Sequence, residues 1–409
     1  MNGIEKQCLI SVLRERYRKV GKKGKGEILS ELSAKLSICR KYAIRLLRPG
    51  NPGRPKNLPR RGRPSRYQDK EFKDALRFVW KVVGYPCGRT LKAAIPLWLD
   101  AIEDEYGKFR IDVRARLVQI SAPTIDRILK PFKVLKGKTF TRSGGFREEI
   151  PIQGNIWDVG IPGYMEADTA VMCGGSMRGE FVNTLTMVDI ATIWTETRAV
   201  FGRGSNATFD AIRDIEYKLP FNILGYDADN GLEVLNHHLY AYFYTDRITK
   251  GLVPVQVTRS REYHKNDNCH VEQRNDTLVR KFLGYERIEF KELVPLINYY
   301  YAEVVCPLLN HFMPTFKLAD KIRIKSQTRR VYKNPITPYQ RLMDSRHLSE
   351  TQKLKLKMIH QNLNPVRLRN QEKQLRLLID TALRRLKAGM GMPQNVPQYK
   401  LWMPLIVPA

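Results

Sequence analysis

The stretch that decides the reading runs from residue 226 to residue 273. It opens with Tyr226-Asp227-Ala228-Asp229-Asn230-Gly231 and closes with Lys265-Asn266-Asp267-Asn268-Cys269-His270-Val271-Glu272-Gln273. A third acidic site, Glu166-Ala167-Asp168-Thr169, lies upstream inside an apolar run. Each puts a carboxylate where it is a liability. Asp168 falls in a strand-like segment, where acids are depleted. Asp229 follows the apolar run Phe221-Asn222-Ile223-Leu224-Gly225-Tyr226 and precedes a helical pattern, and Glu272 stands near the start of another. Carboxylates gathered at the ends of core elements repel one another unless a cation lies between them. Oxygen-only ligands favour Mg²⁺ or Mn²⁺.

Asp168, the Asp229-Asn230-Gly231 turn and Asp267-Asn268-Cys269-His270-Val271-Glu272 together resemble the catalytic signature of retroviral-type integrases and bacterial insertion-sequence transposases. A lone Asp-Asn-Gly is common; the ordered set is not. The resemblance covers residues 151 to 300 and implies an Asp, Asp, Glu triad on an α/β RNase H-like core. It makes Asp168, Asp229 and Glu272 both the catalytic residues and the ligands of two Mg²⁺ (or Mn²⁺) ions. Asp168 would bridge the pair, with Asp229 on one ion and Glu272 on the other. Such a site serves in-line displacement at phosphorus, with water and then a 3′-OH as nucleophile. No covalent protein–DNA intermediate is required, so no Ser, Tyr or Cys nucleophile is expected.

Other acids compete for these roles. Asp227 would share a strand face with Asp229, and the Asn-Gly that follows favours Asp229, leaving Asp227 as a supporting partner. Asp158 and Asp189 suit turns, and Asp267 suits an N-cap. His237, His238, His264 and His270 read as packing and surface residues. His264, Lys265 and Arg274 flank the acids and are expected to hold substrate phosphates.

Charge supports a nucleic-acid partner. The net formal charge is +30, unevenly spread. Residues 1–150 carry 36 basic and 15 acidic side chains, residues 151–310 carry 15 and 21, and residues 311–409 carry 20 and 5. An acidic middle between two basic flanks suits flanks that grip a polyanion while the middle collects cations. The six cysteines are scattered with no zinc-ligand spacing, and every histidine lies at or after His237. The N-terminal His/Cys zinc site of retroviral integrases is therefore missing here. No apolar run is long enough to span a bilayer and no signal-peptide pattern is present. The expected setting is a reducing bacterial cytoplasm, at the nucleoid.

The domain pattern follows from composition and period. Residues 1–48 read as a helix-turn-helix DNA-binding unit: a first stripe Ile10, Val12, Leu13 and Tyr17, a break at Gly24-Lys25-Gly26, a second stripe, then Ser37 as N-cap of a third helix. That helix turns Ile38, Ala43, Ile44 and Leu47 inward and Arg40, Lys41, Arg45 and Arg48 outward. Residues 49–66 are an Arg/Pro/Gly linker whose Arg61-Gly62-Arg63-Pro64 resembles an AT-hook, either in a minor groove or as a charged tether. Residues 67–133 read as a second helical DNA-binding unit, with Arg127 on its recognition helix; residues 134–150 are a connector. Within residues 151–310 strands are expected at Tyr164–Met172, Phe181–Ile190, Ile193–Phe201, Phe221–Tyr226 and Val253–Val257, with helices at Asn206–Lys218, Leu232–Tyr244 and Asn268–Leu283. Residues 311–409 form a small basic β plus α region: integrases of this type often end in a small barrel, here short or incomplete and followed by helices at 349–362 and 366–388.

The function expected is a transposase that binds terminal inverted repeats, cuts at 3′ ends and joins them to target DNA. Its partners are double-stranded DNA and further copies of itself, with no membrane. A metal-dependent nuclease on the same fold, or a domesticated non-catalytic DNA-binding regulator, are the alternatives.

Overall fold

In the computed structural model the described residues are 3–48, 66–133, 160–202, 204–228, 237–259, 271, 274–324 and 327–401. The chain divides into two compact units, Met1–Arg66 and Tyr67–Ala409.

The first unit has helices α1 (Gly3–Lys19), α2 (Lys22–Leu36) and α3 (Arg40–Leu47). Leu13, Ile28, Leu29, Leu32, Ala43 and Leu47 form its core. Three details depart from the sequence reading. Gly24 lies inside α2, where a Cβ would stand 3.0 Å from that of Val20; the chain breaks at Gly21 instead. Ser37 is in the left-handed region (φ 51°) and closes α2, while Cys39 takes the N-cap position of α3. Val12 faces solvent. α2 and α3 are thus joined by three residues.

The second unit starts with α4 (Lys70–Val83), α5 (Gly88–Tyr106), α6 (Ile111–Gln119) and α7 (Ala122–Leu129). Asp69 caps α4 by accepting the Phe72 amide at 2.9 Å. Gly84 ends it at φ 97°, and a Cβ there would collide with the Arg369 guanidinium. The apolar stripe Phe72, Leu76, Val79, Trp80 and Val83 is buried as its spacing demands.

A five-stranded sheet follows, built from β1 (Tyr164–Val171), β2 (Val182–Asp189), β3 (Thr195–Phe201), β4 (Gly225–Ala228) and β5 (Gln256–Arg259), with α8 (Ser205–Lys218) after β3 and α9 (residues 237–249) after β4. The strand order is β3-β2-β1-β4-β5. β1 pairs antiparallel with β2 and parallel with β4, which pairs parallel with β5. Side chains alternate across the sheet. Met165, Ala167, Leu185, Met187, Val200, Tyr226 and Ala228 enter one core with Ala211, Ile212 and Ile215 of α8 and Phe243 of α9. Ala170, Val182 and Ala199 enter the other. That second core also contains α10 (described over residues 274–282), α11 (residues 294–312), the stripes of α4 to α7 and a C-terminal helix.

The C-terminal region holds a hairpin, β6 (Leu318–Ile324) and β7 (Gln327–Tyr332), then α12 (Pro338–Asp344), α13 (Glu350–Asn362) and α14 (Pro365–Lys387). Two antiparallel strands stand where a barrel would be. α14 reaches back onto α4, where Arg369 Nη2 donates to the Val83 carbonyl at 2.8 Å. α5 meets the end of α11, where the buried Trp98 Nε1 donates to Phe312 O at 3.0 Å. The helices of residues 67–133 are therefore built into the same unit as the sheet.

Two expected strands are displaced. β4 starts at Gly225, because Phe221 and Ile223 are core residues of the approach to it, and Leu224 N bonds Gly163 O at 2.8 Å instead. β5 starts at Gln256, and Val253, read as its first residue, is 76% exposed.

Candidate active site

β1 is the central strand, and Glu166, Asp168 and Ala170 share one of its faces. Neighbouring strands add Thr184, Thr186 and Thr197 to that face, all buried. Asp168 is half-buried. Its Oδ1 accepts from the Thr169 amide and its Oδ2 from Asn275 Nδ2, both at 2.7 Å. Asn275 opens a widened π turn, Asn275–Arg280, a form of helix that concentrates at functional sites. The same helix is tied to β1 further along: Arg280 Nη2 donates to the Val171 carbonyl at 3.1 Å.

Glu166 is buried, and its Oε2 accepts the Val271 amide at 3.1 Å. Asp227 is its register partner on β4, and Asp227 Oδ1 accepts from Thr258 Oγ1 on β5 at 2.7 Å. β4 ends at Ala228, level with Ala167 on β1. Asp168 and Asp229 are the residues that follow this pair in the chain. Asp229 and Glu272 themselves, with Lys265, Arg61 and Arg63, lie outside the described residues, as do Asp158 and Asp267.

Among the described residues no group of three or more His, Cys, Asp or Glu could hold a metal ion. The donors that are described suit a hard cation. Asp168 offers carboxylate oxygen, and Asn275 Oδ1 beside it is a buried acceptor with no hydrogen-bond partner among the described residues. Sequence spacing signals Glu166, two residues from Asp168 on one strand. Nothing in the sequence singles out Asn275.

Asp189 is the turn residue expected of it. Its Oδ1 accepts from Gly163 N at 2.8 Å and its Oδ2 from Thr192 N at 2.7 Å and Thr192 Oγ1 at 2.5 Å. Burial outweighs these bonds and lifts its pKa to about 6. The β2–β3 turn it closes is gripped by three cations. Lys317 Nζ donates to Ala191 O at 2.6 Å, Arg341 Nη1 to Thr192 O at 3.0 Å and Arg274 Nη2 to Ile193 O at 3.4 Å. Arg274, expected to hold substrate phosphate, is engaged inside the fold. Burial, with Arg341 nearby, lowers its pKa to about 10.

Of the other expected DNA contacts, Arg40, Lys41 and Arg45 are exposed on α3, and Arg45 lies over the Tyr42 ring at 4.7 Å. Arg127 is exposed on α7, whose first turn carries Pro123. Cys8, Cys39, Cys87, Cys173 and Cys306 are free thiols. No helix among the described residues is long and apolar enough to cross a membrane.

The described sheet is mixed, in the order β3-β2-β1-β4-β5, with helices packed on both faces. No family model matches the chain. The uncharacterized protein y4rM of Sinorhizobium fredii (strain NBRC 101917 / NGR234) is 34% identical over 340 residues, which cover 81% of this chain and 93% of y4rM. The chain belongs to the y4rM family. Among solved structures it is similar to the catalytic core domain of BIV integrase, at 13% identity and a TM-score of 0.27, over 45% of this chain and 96% of that one. It is also similar to a chain of the simian T-cell lymphotropic virus intasome in complex with PP2A regulatory subunit B56 gamma, at 14% identity and a TM-score of 0.28, over 57% and 86%.

Proposed function

We propose that this chain is a DNA transposase of the Asp, Asp, Glu type that cuts 3′ ends of a mobile element and joins them to target DNA. The observation that carries the reading is the register of β1 and β4: Ala167 is level with Ala228, and the residues that follow them in the chain are Asp168 and Asp229. Asp168, Asp229 and Glu272 would hold two Mg²⁺ ions, with Asn275 orienting the Asp168 carboxylate. Such ions, when bound, activate the attacking oxygen and stabilise the leaving one.

The chain's own groups do the placing. The Asn275 amide fixes one Asp168 oxygen, and buried threonines of β2 and β3 line the same face of the sheet. Arg40, Lys41 and Arg45 form a cationic face on α3 suited to a major groove, α2 and α3 acting as a helix-turn-helix. Arg61, Arg63, Arg127 and Lys265 would add phosphate and groove contacts along terminal repeats. Two DNA ends require two active sites, so a homo-oligomer is expected.

The test is a strand-transfer assay on labelled DNA flanking the gene, with Mg²⁺ or Mn²⁺, comparing wild type with Asp229→Asn. Joined products from wild type alone, and only with metal, support the reading. Metal-dependent nicking without joining shifts the assignment to a nuclease. Tight end binding with no chemistry from either protein favours a DNA-binding regulator.

A further inference from the structure

A carboxylate in the middle of a central strand, 1% exposed, is costly unless it is hydrogen-bonded. Glu166 accepts the main-chain amide of Val271, a residue 105 positions further along the chain. Val271 is itself fully buried, clustered with Val188 and Ile193. Val188 is the register partner of Glu166 on β2. One polar bond and one apolar clasp therefore seat the same point of the chain, and the next residue is Glu272.

The spacing of the grips is informative. Glu166 holds Val271 and Asp168 is held by Asn275. Two residues along a strand span about 6.6 Å. The central strand thus grips the chain at two points, Val271 and Asn275.

We infer that Glu166 is a positioning residue. Its carboxylate fixes the main chain at Val271, the residue that precedes Glu272 in the sequence. The inference rests on the transposase reading for its effect on chemistry, but the strap itself can be tested without it. Glu166 acts here as a hydrogen-bond acceptor; its charge is not what the role requires.

The experiment uses the full chain as wild type, Glu166→Gln, Glu166→Leu and Asp168→Asn. Three readouts are taken: strand transfer, Mn²⁺ binding followed by the signal of the free ion, and amide exchange of the segment containing Val271. Glu166→Gln keeps an acceptor and should recover most of the activity. Glu166→Leu removes it and should lower turnover about 10²-fold, the scale of a 1 Å misplacement. It should also weaken Mn²⁺ binding and speed exchange at Val271, with DNA-end binding unchanged.

Wild-type behaviour of Glu166→Leu in Mn²⁺ binding and in Val271 exchange overturns the strap. Glu166→Gln as inactive as Asp168→Asn also overturns it, because the charge would then be the working feature. If wild type neither cuts nor joins, the transposase reading fails alone, and Mn²⁺ binding and amide exchange still decide the strap.

Discussion

Asn298 completes a ladder step with Ala199: its Oδ1 accepts the Ala199 amide at 2.6 Å and its Nδ2 donates to the Ala199 carbonyl at 3.0 Å. Asn310, on the same helix α11, does likewise for Thr195, with both bonds at 2.9 Å. β3 is an edge strand. Its outward backbone groups would otherwise be buried without partners or open to another strand. Two asparagine side chains stand in for the missing neighbour.

Asn298→Leu should therefore cost about 2–4 kcal/mol, because it leaves a buried N–H and a buried C=O unsatisfied. Asn310→Leu should cost a similar amount. Urea unfolding of each variant checks this; midpoints within about 0.5 kcal/mol of wild type would show that α11 does not cap the edge.

A buried charge network lies on the opposite face of β3. Arg198 Nε donates to Asp214 at 2.6 Å and Nη1 to Glu196 at 3.2 Å, and Tyr399 Oη lies 3.0 Å from Asp214. Burial raises the pKa of Glu196 even with Arg198 beside it. Arg198→Met should destabilise the protein by about 3–5 kcal/mol, since two buried carboxylates lose their cation. Tyr399→Phe removes one hydrogen bond and should cost about 1 kcal/mol. Thermal unfolding of both variants tests the order of these effects.

Stability should respond to pH through two buried groups of opposite sign. Asp189 has its pKa lifted from 3.8 to about 6, so its contribution is complete below pH 3.8 and is lost as pH rises through 6. His311 is pushed down from 6.5 to about 3 by burial and by His360, whose Nδ1 lies 3.1 Å from its own. Its contribution is complete above pH 6.5 and is lost as pH falls towards 3. Between pH 4 and 6 the two slopes oppose each other. Asp189→Asn should steepen the acid-side loss of stability, and His311→Gln should flatten it. Urea midpoints measured from pH 4 to pH 8 separate the two groups.

On the proposed transposase reading, Asn275→Leu should lower metal affinity or activity about 10- to 100-fold, the usual effect of removing a group that orients a ligand. Asp168→Asn should remove joining altogether. Metal titration of strand transfer distinguishes them: adding Mn²⁺ should restore part of the Asn275→Leu activity and none of that of Asp168→Asn.

Much of this fold is legible in the sequence because local pattern and burial agree. The stripe of α4, the first three strands and the helices Glu350–Asn362 and Pro365–Lys387 stand within one or two residues of where their period places them. The misreadings have physical causes. Apolar residues at 221 and 223 look like a strand but pack before the ladder begins. Gly24 looks like a breaker but fits a tight approach to Val20. Asp168 and Glu166 stand out in the sequence as acids in a strand, and the groups they bond do not. Asn275 meets Asp168 across 107 positions and Val271 meets Glu166 across 105, and no local pattern encodes such pairs. The joining of α4 and α5 to the core is hidden for the same reason, because Trp98 finds Phe312 and Val83 finds Arg369.

That last contact has a consequence for synthesis. Val83 and Arg369 are 286 positions apart, and the larger core draws on Val366, Ile379 and Leu383. On the ribosome, α4 and α5 emerge long before the helix that covers them. The Met1–Arg66 unit has its own core and can fold as it appears; the larger unit must wait until nearly the whole message is read. A chain truncated before that helix would keep the first unit and expose the apolar stripes of α4 and α5, and would aggregate or be degraded.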